Sequence, residues 1–201
     1  PGPAEVGRAL AGALADGGLV RAIAISGARL LVGYAVALGA GVPAGVLLGR
    51  RAAVRQAVGP VLLGLSSVPS ICWLPLAIVW FGLSEMAIQV VVVLGAALPI
   101  TLATESAVRQ LPPSIERAAR TMGAEGPRLL WRVLVPAALP GILSGAKIGW
   151  TFALRSLMAG ELLFVSGGLG QLLETGRDLA DTALVLGVVG VIVLLSRASE
   201  R

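Results

Sequence analysis

Five long apolar runs constrain this chain more than anything else in it: Ala22–Leu48, Val61–Gly82, Ala87–Thr104, Ile142–Val165 and Ala183–Ser196. A helix that crosses a bilayer needs about 20 mostly apolar residues, somewhat fewer where flanking side chains snorkel. The first, second and fourth runs meet that requirement; the third and fifth are short but plausible spans. Composition agrees: 56% of residues are hydrophobic and 13% charged, with a mean hydropathy of +0.90. A soluble domain carries about twice that share of charge. The 27 glycines suit helices packed closely in lipid. These features predict an all-α polytopic membrane helix bundle, a single transmembrane domain over residues 1–201 with five spans.

Arginine and lysine then assign sides. Arg50, Arg51 and Arg55 follow the first run, Arg109, Arg117, Arg120, Arg128 and Arg132 lie between the third and fourth, and Arg197 and Arg201 follow the fifth. Only Arg8, Arg21 and Arg177 fall on the other side. Basic loops stay cytoplasmic, so the quoted N-terminus is expected outside a bacterial plasma membrane and the C-terminus inside. A chain that begins outside at Pro1 implies an earlier helix, six in the intact protein. Taken singly, the arginines read as topology charges or contacts to lipid headgroups. Aromatic residues are too few for base stacking, so nucleic acid is not an expected partner. Two short outer pieces are expected: an amphipathic helix in PGPAEVGRALAGALADGG, with Pro3 in its first turn and Gly17-Gly18 at its end, and a surface segment in GGLGQLLETGRDLADT.

Several chemistries are excluded. With no histidine, most zinc sites and every Ser-His or Cys-His nucleophile pair disappear. No metal site is expected. The one cysteine, Cys72, cannot form a disulfide within the chain and is expected to be buried and inert. Lys147, the only lysine, sits in GILSGAKIG, which lacks the Gly-Lys-Ser/Thr of a phosphate-cradling loop. Energy for any transport must come from another chain or from an ion gradient.

The segment ERAARTMGAEGPRLLWRVLVP, Glu116 to Pro136, is polar between two apolar runs. Pro112-Pro113 stop the preceding helix, and Ser114 is expected to cap a new one running to about Met122, with Glu116 in its first turn. Gly123 permits the left-handed turn that ends it. Gly126-Pro127 start a second helix, with Pro127 at its first position, which Pro136 and Pro140 are expected to close. A loop of about 109–140 would thus be two short helices with a sharp bend, its small Ala118 and Ala119 open to close approach by another protein.

The spacing Ala118-Ala119, three residues, Gly123, nine residues, Val133-Leu134-Val135-Pro136 resembles the EAA loop of permease subunits from binding-protein-dependent ABC importers. In that family the pattern is E-A-A-x3-G-x9-I-x-L-P. Arg117 stands here where the family has its glutamate, with Glu116 beside it. The stretches GVPAGVLLGR, VPSICWLPLAIVWFGLSE and RSLMAGELLFVSGGLGQLL are similar to the nitrate, sulfonate and taurine branch. The resemblance implies a non-catalytic permease in which Glu116, Arg117, Ala118, Ala119, Gly123, Ala124 and Pro136 form the coupling loop. It implies two cytoplasmic ATPase subunits that bind ATP and magnesium, a second permease copy, and an outer substrate-binding protein. The chain itself would bind no cofactor.

Pathway candidates come from polar and proline residues inside the runs. Arg155 and Glu161 lie within the fourth, where ionisable groups face a bundle interior or a water-filled path. Six residues apart, they point to different helix faces and each needs a partner elsewhere. Arg155 suits a small anion; a structural pair is its alternative role. Arg29 and Lys147 are expected to snorkel from span ends. Pro69 and Pro75 interrupt the second run, and Ser66, Ser67 and Ser70 add polar groups there. Trp73, Trp80, Trp131 and Trp150 read as interface anchors. The competing functions are a secondary transporter or channel driven by an ion gradient, and an intramembrane enzyme, against which the missing histidines count.

Overall fold

The computed structural model describes residues 1–163 and 167–197. The expected end of the fourth run at Val165, and Arg201, lie outside the described residues. Every element described is helical: α1 (Pro3–Ala15), α2 (Gly18–Arg50), α3 (Ala52–Ser67), α4 (Leu74–Phe81), α5 (Glu85–Arg109), α6 (Pro113–Thr121), α7 (Gly126–Leu129), α8 (Val135–Leu163), α9 (Leu169–Asp178) and α10 (Thr182–Arg197). A 3-10 turn, Ser70–Trp73, leads into α4, and a π-helical segment, Leu130–Leu134, joins α7 to α8.

The all-α expectation holds. Three helices are long and apolar enough to cross a membrane: α2, α5 and the continuous helical run Gly126–Leu163. The second apolar run is a broken pair, α3 with the helical stretch Ser70–Phe81. Its break has a local cause. Val68 and Pro69 adopt extended backbone, with ψ of 125° and 134°, as a residue before proline prefers. Pro75 sits at the start of α4, where a missing N–H costs nothing, so Pro69 alone marks the break. The fifth run is α10, 16 residues long; at 1.5 Å per residue it spans roughly 24 Å, short of a full bilayer core.

The described chain divides into two compact units. The first comprises Pro1–Ala35, Pro69–Gly95 and Trp150–Arg201. Within it, Leu19, Ala22, Leu169 and Val188 form a core onto which α1, α9 and α10 pack. Leu74, Ala77, Ala87 and Val91 form another, with Trp73 against it. Tyr34 and Trp150 meet edge to face at 5.1 Å. The amphipathic α1 starts at Pro3 as expected, with the Glu5 carboxylate accepting the Gly2 N–H, and Gly17 (φ +71°) turns the chain after it. Cys72 is exposed in the 3-10 turn and not buried, because that turn lies at the break and outside the packed helix.

The second unit comprises Val36–Val68 and Ala96–Gly149. Here α5 is flanked by two glycine rows at four-residue spacing. Gly41, Gly45 and Gly49 on α2 meet Ile100, Thr101, Thr104 and Val108. Gly141, Gly145 and Gly149 on α8 meet Ala107, Ala103 and Ile100. A Cβ on Gly45 would stand 2.5 Å from the Thr101 carbonyl, and one on Gly141 or Gly145 2.5 Å from an alanine methyl. Without a hydrophobic drive between helices in lipid, such close approach supplies the packing energy.

Candidate functional site

The loop after α5 is built by local rules. Pro113 begins α6 at its first position, with Pro112 as the residue before the helix. Ser114 therefore lies inside the helix and caps nothing, contrary to expectation. At the other end Gly123 is left-handed, φ +80°. Its N–H donates to the Arg120 carbonyl, and the Ala124 N–H donates to the Ala119 carbonyl, both at 3.0 Å. This pair of bonds is a Schellman cap, which places residue 119 three positions before the end and a glycine just past it. Ala119 and Ala124 then pack on Leu129 and Leu134. The spacing between Ala119 and Gly123 is thus that of one helix ending.

Ala119 is 2% exposed. It holds the loop together from inside and does not form part of an outward surface, which corrects the expectation for it. Ala118, Gly123 and Arg117 are exposed, and beside them Met122 is 80% exposed. Glu116 accepts hydrogen bonds from Arg50 Nη1 at 2.8 Å and from Arg120 Nη2 at 2.9 Å. The two guanidinium bonds, Arg50 first, hold its carboxyl below the ordinary value of about 4.5. Arg50 closes α2, so this pair ties the loop to the end of that helix.

The second loop helix does not close at Pro136 and Pro140. It runs through the π segment into α8, with Pro136 near the start of α8 and Pro140 inside it. In the π segment N–H groups reach five residues back, as Val135 does to Leu130. The wider turn relieves the clash between a proline ring and the carbonyl four residues before it. Pro127 occupies the second position of α7 instead of the first.

In the first unit the ionisable residues separate. Glu161 is fully buried. Its carboxylate accepts from Arg29 Nη1 at 2.8 Å, from Ser26 Oγ at 2.7 Å and from the Gly170 N–H at 3.0 Å. Ser26 Oγ in turn accepts the Leu169 N–H at 2.8 Å. Two free N–H groups at the start of α9 are thereby satisfied. Arg29 also donates through Nε to Glu85 Oε2 at 2.6 Å and pairs through Nη2 with Glu85 Oε1. Arg29 is 7% exposed, so it does not snorkel; two carboxylates draw it inward. This burial removes Glu161 from the candidates that face a pathway. Sequence reasoning missed Ser26 and Glu85 and placed Arg29 at a span end instead of in this cluster. The available signal was that opposite charges inside two apolar runs need each other.

Arg155 differs. It is exposed, lies 5.8 Å from the Phe152 ring and has no carboxylate partner among the described residues. It lines a groove of about 610 Å³ with Thr151, Met158, Leu162, Ile192 and Ser196. Ser70 accepts the Ser156 hydroxyl at 2.8 Å. Ser66 and Ser67 are exposed and donate to their own helix, at the Leu63 and Gly64 carbonyls.

The family model for the inner membrane component of binding-protein-dependent transport systems matches residues 41–198. The taurine transport system permease protein of Escherichia coli is 30% identical over 181 residues, 90% of this chain and 66% of that protein. The nitrate import permease protein of Leptolyngbya laminosa is 31% identical over 187 residues, 91% of this chain and 67% of that protein. The chain thus spans about two thirds of the length of these two relatives. Among solved structures, the MetNI methionine ABC transporter in inward facing conformations matches with a TM-score of 0.80 at 27% identity, over 91% of both chains.

Proposed function

This chain belongs to the family of inner membrane components of binding-protein-dependent transport systems, and on that premise we propose that it carries a small anionic solute, driven by an ATPase that engages the loop of residues 109–140. As a member it is an ABC importer permease, a non-catalytic multi-pass subunit of the inner membrane. Such permeases work with ATPase and substrate-binding partners. In this reading two ATPase subunits hold ATP and magnesium, a second copy of the chain completes the pathway, an outer binding protein delivers the solute, and residues 1–201 act as one permease domain with a cytoplasmic C-terminus.

The observation that carries the coupling role is the Schellman-capped α6. It offers Ala118 and Gly123 with the exposed Met122, an apolar knob between small residues, on a loop tied to α2 by Arg50 and Glu116. An apolar side chain so exposed on a polar loop suits a protein partner. Ala119, Ala124 and Pro136 shape this loop, and Arg117 adds charge to its outer face. For the solute, aliphatic sulfonates, taurine, nitrate or a similar anion fit the relatives' names, and Arg155 in its groove supplies the cation. Ser66, Ser67, Ser70, Pro69 and Pro75 remain proposed for the pathway.

Gly123→Val tests the coupling. A β-branched residue held at positive φ costs about 1–2 kcal/mol locally, which the membrane helices should survive. In reconstituted vesicles the variant is expected to insert normally yet lose ATPase association, or to hydrolyse ATP without uptake. Full association with coupled uptake would remove the loop from the mechanism.

A further inference from the structure

We propose that the second unit carries a site for an anionic phospholipid, in the groove between the end of α2 and the helix that follows Gly126. The groove encloses about 410 Å³. Val42, Val46 and Leu47 of α2 line it, as do Leu130, Trp131 and Val135 of the helix that follows Gly126, and Arg50 and Arg51 line it where α2 ends. No carboxylate among the described residues lines it. From Val42 to Arg50 the α2 wall runs roughly 12 Å at 1.5 Å per residue, so the site is cationic at one end and aliphatic along its length.

The two arginines are not equivalent. Arg50 spends its Nη1 on Glu116. Arg51 is exposed and makes no side-chain hydrogen bond or ion pair with any described residue. It is the single extended residue between α2 and α3, φ −114° and ψ 101°, and it lines the groove just past the end of α2. A guanidinium forks onto phosphate oxygens in pairs of hydrogen bonds. Trp131, 62% exposed, stands in the wall with Leu130, and indole rings favour headgroup depth in a membrane. Each part of the ligand then has a counterpart: phosphate for the arginines, headgroup boundary for the indole, acyl chain for the aliphatic walls.

Charge complementarity selects the lipid. A zwitterionic headgroup brings an ammonium, for which no described carboxylate lines the groove; Glu116, close by, is already paired with Arg50. A free phosphate ion would leave the apolar walls unused. This inference rests on membrane placement and on the groove, not on the coupling role of α6.

The test is lipid retention by the full-length permease, purified from mixed vesicles of phosphatidylglycerol and phosphatidylcholine with identical acyl chains and read by native mass spectrometry. Phosphatidylglycerol is expected to be retained over phosphatidylcholine. Arg51→Gln should reduce its retention about fivefold, the worth of one basic residue at an anionic surface. Arg128→Gln, which removes an exposed charge outside the groove, should leave retention unchanged, and millimolar inorganic phosphate should not displace the lipid. Equal retention of both lipids, equal loss in the two variants, displacement by phosphate, or no retained lipid would each overturn the site.

Discussion

Both units join arginine to glutamate, and they do so in opposite ways. In the first, Arg29 and Glu161 are sealed among helices, with Ser26 and the Gly170 N–H completing the carboxylate's shell. In the second, Arg50 and Glu116 meet at 2.8 Å with both side chains about one third exposed. Burial decides what each pair can do. Two buried charges depend on each other, because removing one strands the other in a medium that cannot solvate it. An exposed pair forms and breaks at little cost, screened by salt. The buried pair suits a fixed joint, and the exposed pair would let its loop shift at little cost.

The strongest way to break this contrast is Arg29→Ala. It should cost about 3–5 kcal/mol and lower the yield and thermal midpoint of the detergent-solubilised protein sharply. Replacing both charges, as Arg29→Met with Glu161→Leu, should restore only part of that loss, since Ser26 Oγ and the Gly170 N–H then lose their acceptor and Glu85 its partner. If the single variant is as stable as wild type, the joint is not a joint.

Gly168→Ala should come next. A Cβ there would run into the Glu161 carboxylate, and overpacking of a closed site costs about 1–3 kcal/mol. Protease cleavage within α9 in membranes should speed up relative to wild type. Unchanged cleavage would mean that α9 does not depend on this contact.

The exposed pair should give less. Glu116→Gln is expected to change stability by at most about 1 kcal/mol, and the change should be pH-dependent. Since Arg50 and Arg120 lower the Glu116 carboxyl in the folded protein, the pair's contribution is present above the ordinary carboxylate value and fades as pH falls through the lower, folded one. Wild type and variant should therefore differ at neutral pH and converge below about 4.5 in thermal melts. A difference that persists into acid would show that the charge is not what acts.

Arg155→Ala should leave stability nearest to unchanged, since no described carboxylate loses a partner. Uptake per purified complex should nevertheless fall. Normal uptake would end the proposal that Arg155 attracts the anion and leave it as a surface charge.

Different parts of this molecule were legible to different degrees. The stop of α6 is written locally, in Ala119 and Gly123, because a helix cap involves only neighbours along the chain. The glycine rows Gly41-Gly45-Gly49 and Gly141-Gly145-Gly149 stand in plain sight at helical spacing, yet nothing local says that α5 lies against both. Arg29 was misjudged because its partner is 132 residues away; charge in an apolar run announces a need without naming what meets it. The prolines misled in both directions. Pro69 breaks its helix, whereas Pro136 follows a π segment that residue preference does not encode and Pro140 lies inside regular α8.

That π segment fixes an angle. An α-helix advances roughly 100° per residue, so positions five apart point well away from each other. Leu129 and Leu134 nevertheless enter the same cluster around Ala119, because turns of i to i+5 bring them into line. The segment amounts to one extra residue that sets the rotational phase of the loop against the long helix that follows. Rewinding Leu130–Leu134 as a regular α-helix with every residue kept would swing everything before it by about a quarter turn. A polypeptide otherwise tolerant of apolar exchange would then carry its loop correctly folded and facing the wrong way.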